Sequence, residues 1–218
     1  MNAVIIEPPQ KVTTSILWLH GLGANGHDFE PIVAELPAEL TAHTRFIFPH
    51  APTRPITING GMHMPGWYDV VATDLTQHQD IQGIHDSAQL IQNYLDSEIK
   101  HGIPSERIIL AGFSQGGALA LHVGLRYPTQ LAGIIALSTY LPLATTLAAE
   151  SHAANRPTPI FMAHGQFDPI ILFTQAEHSH YQLNQLGYSV EWHYYPMAHS
   201  VSLEEINDLS RWLMNLNL

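Results

Sequence analysis

No cysteine occurs in the 218 residues. That excludes a disulfide framework, a thiolate nucleophile and any zinc or iron–sulfur site built on cysteine. Cations are scarce as well: eight Lys+Arg stand against nineteen Asp+Glu, for a net charge of −11. Such a balance repels phosphate backbones and anionic lipid headgroups, so neither a nucleic-acid partner nor a stable membrane anchor is expected. No apolar run approaches the roughly 20 residues that span a bilayer. The N-terminus lacks the basic region of a signal peptide and meets Glu7 early. A soluble, cytoplasmic protein is therefore the expectation. What is present is apolar material, 45% of the chain, enough to build the core of one domain over residues 1–218.

Histidine is the other abundance, with fifteen. Spacing argues against a metal site. H-E-x-x-H is absent, and the one H-x-H pair, His178 and His180, points to two faces of a helix at its i,i+2 spacing.

Short unalternated apolar runs recur, as in Ile16–Leu19, Phe46–Phe48, Ile108–Ala111, Gly133–Leu137 and Ile160–Ala163. Runs of this kind read as strands buried on both faces, the requirement of a parallel sheet. Val190–Tyr195 alternates more and is expected nearer an edge. Helical patterns separate several of these runs. Ile81, Ile84, Ala88, Ile91, Leu95 and Ile99 step by three or four and mark one face. Gln115–Arg126 reads as a second helix, and Ser202-Leu203-Glu204-Glu205 opens a last one with a capping box. Strands alternating with helices give an α/β domain with a mostly parallel central sheet and helices on both faces. Residues 50–79 show no periodic element, yet carry Met62, Met64, Trp67, Tyr68 and Leu75. This stretch is expected to be a flap over a binding site.

Gly112-Phe113-Ser114-Gln115-Gly116 matches G-x-S-x-G. A buried-strand run precedes it and an Ala/Leu-rich helix follows, the strand–turn–helix that a nucleophile elbow requires. A serine hydroxyl is a weak nucleophile and needs a base that an acid orients. Asp168 follows the Ile160–Ala163 strand and His199 follows the Val190–Tyr195 strand. The chain order Ser, Asp, His, each beyond a strand end, is that of the α/β-hydrolase fold. Taken alone, Asp168 also reads as the turn residue before a helix and His199 as one loop histidine among fifteen. Acyl transfer needs N–H donors for the tetrahedral oxyanion. The Gln115 amide is one candidate, and the loop His20-Gly21-Leu22-Gly23-Ala24-Asn25-Gly26 is placed to supply the other. That loop also matches G-x-G-x-x-G, but the next strand ends Phe48-Pro49-His50, without the acidic residue a dinucleotide site wants.

Together these segments resemble the phospholipase/carboxylesterase family of α/β-hydrolases, which includes acyl-protein thioesterases and bacterial carboxylesterases. The resemblance runs from His20–Phe29 through Pro49–Pro52, Gly66–Asp69 and Gly112–Gly117 to His164-Gly165-x-x-Asp168-Pro169 and His199–Val201. It implies an α/β-hydrolase fold with Ser114, Asp168 and His199 as the triad, and the amides of Leu22 and Gln115 as the oxyanion hole. It also implies ester or thioester hydrolysis through an acyl-enzyme, no metal or organic cofactor, and the homodimers common in such families. The chain departs from the family pattern at Leu172 and Leu203, where proline is usual, and at Ala198, often a glycine.

The leading expectation is a serine carboxylesterase for small or medium acyl esters. The alternative within the same chemistry acts on a lysophospholipid or an acylated protein, with Met62, Met64, Trp67, Leu75 and Leu172 lining the acyl site; apolar residues of such a stretch as often merely close the core. From a different class comes a non-catalytic binding protein of the same fold, disfavoured because no triad member is missing.

Overall fold

The computed structural model describes residues 2–75, 77–216 and 218. Its elements in chain order are β1 (Ala3–Ile6), β2 (Thr14–Leu19), α1 (Ala38–Thr41), β3 (Thr44–Pro49), β4 (Thr53–Ile56) and β5 (Met62–Pro65). They continue as α2 (Ile81–Lys100), β6 (Ile108–Phe113), α3 (Gln115–Arg126), β7 (Gly133–Leu137) and α4 (Ala144–Glu150). The last are β8 (Ile160–Gly165), α5 (Phe173–Gln185), β9 (Val190–Tyr195) and α6 (Leu203–Asn215).

Seven strands form one sheet in the order β1-β3-β2-β6-β7-β8-β9. All neighbours are parallel except β1, which pairs antiparallel with β3. Every residue of β2, β7 and β8 is buried, which is why these strands show no alternation. Their side chains divide between two cores. Leu17, Leu110, Ile134 and Met162 pack with α2, α3 and α5 on one face. Ile16, Ile109, Ile135 and Phe161 pack with α6 on the other. Each such side chain contributes roughly 1.5–3 kcal/mol by leaving water, so the central strands hold the sheet rigid beneath the loops at their C-terminal ends.

The edge position expected for Val190–Tyr195 is where β9 lies. β1 is an addition. It is only four residues long, and its side chains are half-buried or exposed, so it leaves little hydrophobic signature. Residues 50–79 are also more ordered than their pattern suggests. β4 and β5 form an antiparallel hairpin, Thr53 opposite Pro65 and Ile56 opposite Met62. Thr76, within this stretch, lies outside the described residues. The capping box is present at α6, where Ser202 Oγ accepts from the Glu205 amide at 3.1 Å. Burial pushes the Glu205 carboxyl up to about 8.

Candidate active site

The turn from β6 into α3 places Ser114 at φ 56°, ψ −120°, a left-handed conformation that costs a side-chain-bearing residue about 1–3 kcal/mol. The surroundings hold it there. Its amide donates to Leu137 O at 2.8 Å, and its carbonyl accepts from Thr139 Oγ1 at 2.7 Å. The flanking glycines are steric necessities. A Cβ on Gly112 would stand 2.3 Å from Gly116 C and O, and one on Gly116 would stand 2.3 Å from Leu19 O. G-x-S-x-G is thus the pattern of a helix, a strand and a neighbouring loop crossing with no room for side chains.

Asp168 and His199 come from the loops after β8 and β9; His199 reaches Ser114, and Asp168 reaches His199. His199 Nδ1 lies 2.6 Å from Asp168 Oδ2, and its Nε2 lies 2.9 Å from Ser114 Oγ. The carboxylate can only accept from Nδ1–H, which leaves Nε2 to accept the serine proton. The two loops touch at Gly165, where a Cβ would meet Ala198 O at 2.3 Å. The Phe113 ring supports the imidazole, with centroids 4.8 Å apart. Asp168 is 4% exposed, and its Oδ1 accepts from the amides of Ile170 and Ile171 at 2.8 and 3.0 Å. Burial alone would raise its pKa. The His199 hydrogen bond and the two amides outweigh that and hold the carboxyl below its usual value.

A second histidine stands behind the acid. His164 is fully buried, with Nε2 at 2.8 Å from Ile171 O and 3.3 Å from Asp168 Oδ2. Burial lowers its pKa, so it serves as a neutral donor. Its Nδ1 has no partner among the described residues.

Leu22 and Gln115 carry amides with no protein acceptor among the described residues, as an oxyanion site needs. The loop bearing Leu22 is secured from below. Buried His20 donates from Nδ1 to Gly21 O at 2.7 Å and accepts at Nε2 from the Ala51 amide at 3.0 Å. The Gly23 amide donates to Pro65 O at 2.8 Å. The Gln115 side chain clasps the following segment: Oε1 accepts from the Trp67 amide at 2.8 Å and Nε2 donates to Tyr68 O at 2.7 Å.

A cavity of about 890 Å³ opens over Ser114, toward the upper end of the roughly 300–1,000 Å³ of small-molecule sites. Leu75 and Leu172 line it together with Leu22, Ile58, Tyr68 and Tyr140. Three residues assigned to it from sequence do not. Trp67 is 0% exposed, and its indole N–H donates to His20 O at 2.9 Å, making it a core residue that braces the Leu22 loop. Met62 is 64% exposed on the hairpin, and Met64, which accepts from Asn59 Nδ2, also lies outside the lining. Tyr140 and the Gln115 side chain carry no signal in the sequence, while Tyr68 stands there only as part of the expected flap and His164 only as part of the family motif. Tyr140 lies just past the C-terminal end of β7, the position at which open α/β sheets carry their ligand sites. No group of three or more His, Asp or Glu side chains fit to hold a metal occurs among the described residues. Nor is any described helix long and apolar enough to cross a membrane.

The phospholipase/carboxylesterase family profile matches residues 1–217. An acyl-protein thioesterase 1 of Neurospora crassa is 41% identical over 219 residues, covering 96% of this chain and 89% of the relative. That of Yarrowia lipolytica is 37% identical, covering 97% and 95%. Among solved structures, Arabidopsis thaliana SOBER1 superposes with TM-score 0.87 at 31% identity, over 92% of this chain and 97% of that one. Zea mays acyl-protein thioesterase 2 gives 0.85 at 29%, over 98% and 97%.

Proposed function

The chain belongs to the phospholipase/carboxylesterase family of α/β-hydrolases, and from that premise we propose that it cleaves carboxylic esters through a serine acyl-enzyme. The observation that carries the reading is the hydrogen-bonded relay Ser114–His199–Asp168 at 2.9 and 2.6 Å. Ser114 Oγ attacks the acyl carbonyl while His199 Nε2 takes its proton. Asp168 fixes the imidazole tautomer and stabilises the imidazolium. The amides of Leu22 and Gln115 bind the oxyanion, commonly worth about 3–4 kcal/mol of barrier for one donor. His199 then returns the proton to the departing alcohol, and water repeats the sequence on the acyl-enzyme. No step calls on a metal or an organic cofactor.

Small to medium acyl esters are the first substrate class. The cavity volume and its aliphatic wall of Leu22, Ile58, Leu75 and Leu172 favour a second, in which a longer acyl chain is removed from a protein thioester or a lysophospholipid. The relatives named acyl-protein thioesterase support that second class.

The test is hydrolysis of p-nitrophenyl esters of two to sixteen carbons by wild type and by Ser114→Ala. Turnover by wild type with a loss of about 10⁴-fold or more in the variant is expected, and the chain-length optimum chooses between the classes. An inert wild type, or a variant that matches it, sinks the mechanism.

A further inference from the structure

Two phenols stand together in the wall of the cavity that holds Ser114. Tyr68 OH and Tyr140 OH are 3.0 Å apart, both side chains are buried, and both line the cavity. They come from positions 72 apart in sequence, one past the β4–β5 hairpin and one past β7. Each hydroxyl carries one proton, and a pair bonded to each other uses only one of the two. Neither phenol has another hydrogen-bond partner among the described residues. One O–H donor is therefore left over on a pair of buried side chains, a situation that costs about 1–3 kcal/mol unless something accepts it. Ionisation does not relieve it. Burial raises the pKa of both phenols, that of Tyr140 to about 12.

The backbone is built to keep the pair in place. Ser138 and Leu143, on either side of Tyr140, both adopt φ +47°, a left-handed strain for residues with side chains. Thr139 bonds Ser114 O, the Leu141 amide bonds Ser179 Oγ, and the Leu143 amide bonds Gln79 Oε1. Tyr68 is held through its carbonyl by Gln115. A second pocket, of about 10 Å³, also borders both phenols, near the minimum for one water. The 890 Å³ cavity is the roomier host.

We propose that the Tyr68–Tyr140 pair is a hydrogen-bonding subsite of the acyl cavity, which takes an acceptor oxygen carried on the substrate's acyl chain. The preferred substrates are then acyl groups with a keto or ether oxygen beyond the scissile carbonyl, rather than plain alkanoyl groups. This inference rests on the hydrolase reading above, and adds to it the chemistry of the acyl chain. A site that offers a buried donor rejects the analogue lacking the acceptor, because the donor is then stranded.

The experiment compares p-nitrophenyl alkanoates with isosteric oxa- and oxo-alkanoates, moving the oxygen one position at a time, so that the leaving group stays constant. Wild type is expected to prefer one oxygen position over the matched alkanoate by about 10-fold or more in kcat/KM. Tyr68→Phe/Tyr140→Phe keeps both rings and abolishes that ratio. The single variants, each retaining one O–H, shift the ratio less and serve the test should the double variant fail to fold. Wild-type turnover with a ratio near one at every position overturns the subsite and leaves the hydrolase reading intact, and assigns the spare proton to water. A ratio unchanged in both single variants, or in the double, overturns it equally. Wild type inert on every ester, indistinguishable from Ser114→Ala, removes the hydrolase reading and the subsite with it.

Discussion

Two segments wall the same cavity and are built on opposite principles. The strap at 66–69 is sunk into the protein: Trp67 is 0% exposed, and its amide, indole and carbonyl are bonded by Gln115, His20 and Ser87. The loop at 167–172 is rooted at Asp168 and exposes apolar side chains on either side of it, with Phe167 at 69%, Ile170 at 60% and Leu172 at 55%. The strap backs the Leu22 loop and Gln115, the proposed oxyanion donors, whose value depends on their not moving. The acid loop needs rigidity only at its root, where three hydrogen bonds converge on one carboxylate and His164 Nε2 stands 3.3 Å away. Each wall is backed by a buried histidine, and these differ in the same sense. His20 uses both ring nitrogens, whereas His164 leaves one unpartnered.

The sharpest test of this division is Asp168→Asn. The amide retains the loop but withdraws the acceptor that fixes the His199 tautomer, so kcat should fall about 10⁴-fold with native circular dichroism preserved. A loss of fold instead would make the acid a structural residue and merge the two walls. Next comes Trp67→Ala, expected to cost about 3–5 kcal/mol in urea unfolding as a fully buried aromatic. A midpoint within error of wild type would mean that the strap is a loose flap after all.

The histidines give a comparison in pH. Burial depresses the pKa of both His20 and His164. In the unfolded chain each titrates near 6.5, so their contribution is complete above that pH and is lost as pH falls below it toward the folded values. Thermal midpoints should decline from about pH 6.5 downward, less steeply in His20→Leu and His164→Leu. At pH 8 His20→Leu should be the more destabilising, because it strands the Ala51 amide and the Gly21 carbonyl. An equal cost would show that the orphaned nitrogen of His164 makes no difference. The smallest effect is that of Leu172→Ser, expected within about 0.5 kcal/mol in stability, while KM for long-acyl esters rises. A KM unchanged at every chain length would take the exposed acid loop out of substrate binding.

Much of this was readable in advance, and the limits have physical causes. Central strands such as β2 and β8 declare themselves because burial on both faces demands unbroken apolar runs. The elbow is legible because backbone crossings at 2.3 Å admit only glycine. The β4–β5 hairpin was not, since strands of four residues, half exposed and containing Pro55 and Pro65, carry no periodicity. Sequence alone does not say whether Trp67 lines the cavity, because an aromatic in an irregular segment looks the same whether it faces ligand or core. Only its indole bond to His20 O, 47 residues away in sequence, separates the two. The Tyr68–Tyr140 pair is likewise a long-range meeting that no local pattern announces.

Gln115 has two unrelated jobs through two parts of one residue: its amide is a proposed oxyanion donor, while its side chain clasps Trp67 and Tyr68. A saturation scan at this position would report only the second. Every replacement but proline keeps the N–H, so the part nearest the chemistry would score as silent. The scan would rank substitutions by how badly they loosen a wall. Chemical replacement of the 114–115 peptide bond by an ester, which deletes the N–H and spares the side chain, is the change that would expose the other half.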